Sequence, residues 1–173
     1  MTALIEGSRA LTPTIDESLQ ARLSTRLAAR VNLVLTQAPA GRDFHEVGAS
    51  LRPRGRMRSV SYALPWVAVL GADCAAVGVD IEPVDRAVDE RVARFVRAEG
   101  EPLLDLLTLW TIKEAAYKAD PVSRDFTAYV VTGDSCHSPS GKRLRIATLT
   151  HQGLRISAAV LPDPMHPTPE EAR

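Results

Sequence analysis

Apolar residues first recur at helical spacing between residues 15 and 35, where every third or fourth position is apolar. The residues of this stripe are Leu19, Leu23, Leu27, Val31 and Val34. The spacing predicts one amphipathic helix over residues 15–35, and Thr14 or Asp16 can cap its N-terminus.

Two more helices are predicted in the middle of the chain. Apolar positions in residues 86–98 indicate a short helix. The next predicted helix starts at Pro102, since proline is tolerated in a first turn, and runs to about Ala119. The Asp120–Pro121 pair ends it, because the residue before a proline is disfavoured in the helical conformation.

The remaining apolar segments read as strands separated by turn residues. Residues 37–57 are rich in Gly and Pro and predict a loop. Residues 58–70 and 76–82 are rich in Val, Ala and Leu and predict a β-hairpin that turns at residues 71–73. Three later strands, with turns at the glycines between them, are predicted at residues 126–132, 143–150 and 153–161.

Strands cluster after helices instead of alternating with them, which predicts an α+β fold. The order helix, loop, strands occurs in residues 15–82 and again in 102–161. We therefore expect two pseudo-symmetric halves, each with a helix packed on a small antiparallel sheet, divided as 1–83 and 84–161. Residues 162–173 contain four prolines within eight positions and predict a disordered tail.

Bulk composition narrows the function classes. The 173 residues include 21 basic and 21 acidic side chains, so the net charge is zero. This balance disfavours a globally basic nucleic-acid binder. No apolar run approaches the roughly 20 residues of a membrane span. Cys74 and Cys136 lack metal-ligand spacing and indicate reduced thiols, so we expect a cytoplasmic protein without membrane partners.

Asp80 and Glu82 are the first candidate chemical residues. They lie at i and i+2 in a predicted strand and therefore face the same side. Two carboxylates on one face repel unless a cation lies between them, and Mg²⁺ prefers such oxygen ligands. The alternative is the solvated outer face of an edge strand.

Glu114 and Lys118 are the second candidates, one turn apart on the predicted helix 102–119. Lys113 precedes Glu114, and Trp110 gives the same region an aromatic side chain. Three acids for a divalent cation and two lysines for phosphate suit the transfer of a phosphate-containing group. The alternative is an ordinary surface ion pair, worth about 0.3–0.5 kcal/mol.

The two blocks together resemble the signature of the 4'-phosphopantetheinyl transferase superfamily. The first block matches as Gly78-Val79-Asp80-Ile81-Glu82, and the second as Trp110-Thr111-Ile112-Lys113-Glu114 followed by Lys118. The Arg94-Phe95 pair followed by Glu99 is similar to a segment between the family's two motifs. The resemblance covers residues 77–119, and the chain looks like a short surfactin-type member.

The resemblance implies a specific reaction. Members transfer 4'-phosphopantetheine from coenzyme A to a serine of an apo acyl or peptidyl carrier protein. By position, Asp80, Glu82 and Glu114 would bind Mg²⁺, and Glu114 would also act as the base for the serine. Lys118 would stabilise the leaving phosphate, and Lys113 would hold the pyrophosphate.

The chain departs from the surfactin-type pattern before the first block. Those members carry Ser-His-Ser or Ser-His-Thr where this chain has Ser61-Tyr62-Ala63, and their histidine contacts the nucleotide end of coenzyme A. Arginines alternate just upstream and, if extended, line one face that could bind the 3'-phosphate. They are Arg52, Arg54, Arg56 and Arg58. The alternative is a solubilising charged loop.

Two functional hypotheses therefore stay open. The first is arm transfer, for which Ser61, Tyr62 and the arginines would contact coenzyme A. The second is a divergent member that binds coenzyme A or a carrier protein, or runs different chemistry in the same cleft, without transfer. Two candidate halves in one chain favour a monomer.

Overall fold

The computed structural model describes residues 16–121 and 126–163. Within them the fold is α+β with two antiparallel sheets, as the element pattern predicted. The elements in chain order are α1 Glu17–Leu27, β1 Val31–Gln37, α2 Phe44–Ser50, β2 Met57–Ala63, β3 Trp66–Ala72, β4 Ala76–Pro83, α3 Glu90–Val96, α4 Leu106–Ala119, a 3₁₀ turn Phe126–Ala128, β5 Val130–Thr132, β6 Ser135–His137, β7 Arg143–His151 and β8 Leu154–Leu161.

The two sheets differ in size. One has three strands in the order β1-β3-β2, and the other has five in the order β4-β8-β7-β6-β5. Helix α2 packs on one face of the smaller sheet, and α4 packs on one face of the larger sheet. The other faces of both sheets share a core with α1, whose Leu19, Leu23 and Leu27 are buried in it.

The division of the chain at residue 83 and the pseudo-symmetry of its halves remain predictions. By its hydrogen bonds, β4 belongs to the five-stranded sheet, because it pairs along its length with β8. Of the predicted tail, Asp163 forms an ion pair with Arg56 at 3.0 Å. Residues 164–173 lie outside the described residues.

Helix α1 is shorter than its apolar spacing predicted. Asp16 caps it, as expected, by accepting a hydrogen bond from the Leu19 amide at 3.0 Å. The helix ends at Leu27 because Ala28 adopts a left-handed conformation with φ of 44°. Val31 and Val34 belong instead to β1, where a run of apolar and β-branched residues favours a strand.

The predicted hairpin between residues 58–70 and 76–82 is wrong. The chain reverses earlier, at Leu64–Pro65, so residues 57–72 themselves form the antiparallel pair of β2 and β3. Periodicity alone does not show where a continuous apolar run is interrupted by a turn. Pro65 lies within this run and is the residue that marks the turn.

Other differences concern short elements. Helix α2 lies in the predicted loop, and its capping box was visible in the sequence as Asp43 followed by Glu46. Helix α3 covers only the middle of its predicted range, and α4 begins at Leu106 behind the cap Asp105, four residues after Pro102. Residues 126–128 form a 3₁₀ turn, and β6 was not predicted.

Two serines join the sheets. The outer edge of β4 faces β2, where the Ser59 hydroxyl accepts a hydrogen bond from the Val79 amide at 3.0 Å and the Ser61 hydroxyl accepts one from the Ile81 amide at 3.2 Å. Successive amides of a strand point to opposite sides, so the amides of Val79 and Ile81 share one side, and that side faces away from β8. The hydroxyls therefore satisfy buried groups that the sheet itself leaves unpaired.

No helix in the described part of the chain is long and apolar enough to cross a membrane.

We expect Ser59→Ala to lower the free energy of unfolding by about 1–3 kcal/mol, because it leaves the buried Val79 amide without an acceptor. Urea denaturation measures the change. Ser50→Ala is the control, because its exposed hydroxyl donates to the Val47 carbonyl and its loss strands no buried amide. Equal stability of the two variants would show that water replaces the Ser59 hydroxyl.

Candidate active site at the contact of β4 and α4

A glycine brings α4 onto β4. Gly78, Asp80 and Glu82 share one face of the strand, and that face packs against α4. A Cβ atom on Gly78 would lie 1.8 Å from the carbonyl oxygen of Ala115. The helix backbone therefore lies directly on the strand, and Glu114 and Lys118 come within electrostatic reach of Asp80.

Asp80 is held through only one of its oxygens. Its side chain is 7% exposed, and its Oδ1 accepts hydrogen bonds from Ser61 Oγ at 2.9 Å and from Lys118 Nζ at 2.8 Å. Its Oδ2 is buried and has no hydrogen-bond partner among the described residues. Burial raises the pKa of Asp80, and Lys118 and Ser61 oppose that increase. Buried polar atoms are normally hydrogen-bonded, and Oδ2 is an exception.

Lys118 spans three elements. Its Nζ donates to Asp80 Oδ1, to the Val79 carbonyl at 3.1 Å and to Ser61 Oγ at 3.2 Å. These acceptors lie on β2 and β4, while Lys118 itself lies on α4. Its side chain is 28% exposed. The ammonium group therefore fixes the three elements around Asp80 and still reaches the solvent.

Glu114 lies one helical turn before Lys118 and is half-buried. Burial raises the pKa of Glu114, and the negative charge of Asp80 raises it further. The charges of Lys118 and Arg86 act in the opposite direction. Sequence reasoning placed Asp80 and Glu114 in one site, and the structure brings them into electrostatic contact. A carboxylate with a raised pKa is a better proton acceptor than an exposed one.

Glu82 pairs with a residue that the sequence analysis missed. The Arg86 guanidinium forms an ion pair with Glu82 and lies 5.5 Å from the centre of the Trp110 ring. The Arg86 side chain comes back to Glu82 because the chain turns after β4, where the Arg86 amide donates to the Pro83 carbonyl at 3.1 Å. The four-residue spacing of Glu82 and Arg86 was visible in the sequence, but only this turn makes it a contact.

Lys113 does not lie beside Glu114 in the site, although the resemblance implied that position when it assigned this lysine to the pyrophosphate. In the structure it lies in the core beneath α4, where its Nζ is 2.9 Å from Glu101 Oε1 and both side chains are 0% exposed. Consecutive helix positions differ by about 100°, so Lys113 and Glu114 face different surroundings. The structure does not bring Lys113 to the acids.

Glu101, also missed by sequence reasoning, anchors this region. Its carboxylate accepts hydrogen bonds from the Val131 amide and the Ala98 amide, each at 2.7 Å. Together with Lys113 it ties α4 to β5 and to the loop after α3. A lysine and a glutamate 12 positions apart gave no sequence signal for this contact.

Tyr62 and Ser61 lie on opposite faces of β2, because side chains alternate along a strand. Ser61 faces Asp80, whereas Tyr62 packs over the backbone of Gly48 and contacts the His45 ring at 4.9 Å. Of the two residues that the resemblance assigns to coenzyme A, only Ser61 therefore lies at the acids. Contact of Tyr62 with the nucleotide end of coenzyme A stays a prediction.

The four arginines do not form the single face that an extended segment would give. Arg52 and Arg58 donate to backbone carbonyls at the end of α2. Arg56 pairs with Asp163, and its side chain is 65% exposed. Arg54 lines a groove with Gln20 and Asn32, and Arg52 lines the same groove. Arg52 and Arg54 therefore share one groove, and Arg56 and Arg58 are engaged elsewhere.

The residues present partly fit a divalent cation. Asp80 Oδ2 is a free, buried, hard oxygen, which is the kind of atom that Mg²⁺ binds. In residues 16–121 and 126–163, however, no group of three histidine, cysteine or acidic side chains is arranged to hold a metal ion. Glu82 is instead engaged by Arg86.

Comparison with known proteins adds no assignment. No protein-family model matches the chain, and no curated protein matches it significantly.

We expect Lys113→Met to lower the free energy of unfolding by about 3–5 kcal/mol, because it leaves the buried Glu101 carboxylate without a cation. Urea denaturation is the measurement. The control is Arg143→Met, since Arg143 and Asp134 form an exposed pair at 3.8 Å that contributes at most about 1 kcal/mol. Adding Glu101→Gln to Lys113→Met should restore part of the loss. Equal effects of the two single variants would contradict the buried pairing.

We expect Glu114→Gln to stabilise the fold at pH 7. When the pKa of a carboxyl group is higher in the folded state than in the unfolded state, ionisation of the group destabilises the fold. The free energy of unfolding therefore falls as the pH rises through the titration of Glu114. Glutamine removes that cost, and the gain should shrink as the pH is lowered and wild-type Glu114 takes up a proton. Thermal unfolding from pH 4 to pH 7 measures this. Glu99→Gln, at an exposed acid, is the control, and a gain that does not depend on pH would contradict the assignment.

Proposed function

We propose that the chain is a divalent-cation-dependent 4'-phosphopantetheinyl transferase. It would move the arm of coenzyme A to a serine of an apo acyl or peptidyl carrier protein. The observation that carries this proposal is Asp80, whose Oδ1 is fixed by Ser61 and Lys118 while its buried Oδ2 has no partner in the part of the chain that the structure describes. This is an arrangement suited to a cation.

The acids of both blocks would hold the metal. Asp80 would contribute its free Oδ2, and Glu82 and Glu114 would be the other ligands. Bound Mg²⁺ would supply Lewis-acid neutralisation of the charge on the pyrophosphate. Asp80 and Glu114 already influence each other electrostatically, and a cation between them would relieve their repulsion.

The chain's own residues can carry the proton and the charge of the reaction. The serine oxygen forms a bond to the phosphorus that bears the arm, and the bond from that phosphorus to adenosine 3',5'-bisphosphate breaks. Glu114, partly desolvated and with a raised pKa, would accept the serine proton. The ammonium of Lys118, oriented by its three acceptors, would stabilise the charge that develops on the leaving phosphate.

A second candidate function is binding of coenzyme A or a carrier protein without transfer. Tyr62 favours it, because this residue stands in place of the family's histidine and faces away from Asp80, toward His45. The arginines also favour it, since only Arg52 and Arg54 share a groove and Arg56 and Arg58 are engaged elsewhere. Calorimetric titration with coenzyme A, combined with a transfer assay on an apo carrier protein, distinguishes the two candidates, because only binding without transfer supports the second.

Intact mass of an apo carrier protein tests the proposed transfer directly. After incubation with the full chain, coenzyme A and Mg²⁺, we expect a gain of one phosphopantetheine arm. Asp80→Asn should lower the rate by about 10²-fold or more, because it removes a ligand charge that the transition state requires. Asp134→Asn, at a site with 82% exposed side chain, is the control. No mass gain with any of several carrier proteins would refute transfer.

A further inference from the structure

One guanidinium is the counter-ion of the acid site. Arg86 forms an ion pair with Glu82, and its positive charge also lowers the pKa of Asp80 and of Glu114. Lys118 is the other cation that acts on these two acids. Among the described residues, Glu82 therefore pairs with Arg86 and Asp80 with Lys118, whereas Glu114 forms no ion pair.

The two cations are held very differently. Lys118 donates to three acceptors and is 28% exposed, so it is a fixed part of the site. The side chain of Arg86 is 43% exposed, and its one ion pair within the described residues is with Glu82. The Glu82 side chain is 15% exposed, so the pair is open to solvent mainly on its arginine side, and Arg86 can exchange partners more readily than Lys118 can.

Arg86 also has a second partner. Its guanidinium lies over the Trp110 ring at 5.5 Å, within the range of a cation–π contact. The Trp110 ring is itself held by Phe126, with ring centres 4.8 Å apart. The indole can therefore retain the guanidinium when Glu82 is no longer its partner.

We propose that Arg86 is a displaceable counter-ion. Its guanidinium pairs with Glu82 until a divalent cation binds there, and it then keeps its contact with the Trp110 ring. This inference rests on the proposed function, from which it takes the cation at the acids, and it assigns a new residue to the control of that site. It also accounts for the orientation of Glu82, which is turned to Arg86.

Competition between the two cations has a measurable consequence. A cation that binds at Glu82 must break the Arg86 contact and approach a like charge, and both effects weaken binding. Removal of the guanidinium should therefore increase the affinity of the site for Mg²⁺. A residue that only stabilised the fold, or that helped to bind the cation, would give no change or the opposite change.

Calorimetric titration of the full chain with Mg²⁺ alone tests the competition. We expect Arg86→Gln to bind Mg²⁺ about threefold to tenfold more tightly than wild type. Arg86→Lys keeps the charge and should give an intermediate affinity, which also protects the test against misfolding of the first variant. Arg143→Gln removes an arginine that is more exposed than Arg86 and is paired with Asp134 elsewhere, and it should leave the affinity unchanged.

Tryptophan fluorescence reports the movement itself. In a Trp66→Phe background Trp110 is the remaining indole, and Mg²⁺ should change its emission as Arg86 leaves Glu82. The same addition should leave the emission of the Trp66→Phe/Arg86→Gln variant unchanged. A structural role for Arg86 would not produce this difference.

Equal or weaker Mg²⁺ affinity of Arg86→Gln overturns the inference, and so does the absence of Mg²⁺ binding in all variants. A Trp110 signal that is the same with and without Arg86 overturns it as well. These outcomes are separate from the transfer assay. Tighter binding by Arg86→Gln without any transfer would support the counter-ion and remove the proposed function, whereas transfer with unchanged affinity would do the reverse.

Discussion

The buried contact between Asp80 and Lys118 is the interaction on which the arrangement of the site depends. It joins β4 to α4, and through Ser61 it includes β2 of the other sheet. A carboxylate removed from water is costly unless a cation and hydrogen bonds compensate it. Here both compensate one oxygen only, so the same interaction that stabilises the junction leaves Oδ2 without a partner.

The two lysines of α4 form ion pairs on different sides of the helix. Lys113 enters the core beneath the helix and pairs with Glu101, while Lys118 pairs with Asp80 at the junction of the sheets. The absence of a side chain on Gly78 lets the helix lie against β4 between these ion pairs. Glu114 is thereby carried to a half-buried position beside Asp80, where its pKa is raised, by burial first and by that neighbouring charge second.

The acids are arranged around cations of the chain itself. Glu82 is turned toward Arg86, and Asp80 toward Lys118, so two of the three acids are paired with cations of the chain itself. One of these contacts is fixed by several hydrogen bonds, and the other is exposed and shared with an aromatic ring. This difference makes the site suited to admit a further cation at one acid without loss of the junction at the other.

The sequence by itself determined the α+β class, the end of α4 at Asp120 and the common face of Asp80 and Glu82, because these follow from local conformational preference and strand periodicity. It left Thr14 and Asp16 as alternative caps of α1, and the structure shows Asp16 in that role. The sequence also indicated that Glu114 and Lys118 are neighbours on a helix. It misassigned Val31 and Val34, since apolar spacing alone does not reveal the left-handed residue Ala28 that ends α1. Only the tertiary structure decided that Lys113 is buried with Glu101, that Tyr62 faces away from the acids, and that Arg86 is their counter-ion. Those outcomes depend on contacts between segments distant in the chain or on a turn whose direction is set by packing, and no local pattern encodes them.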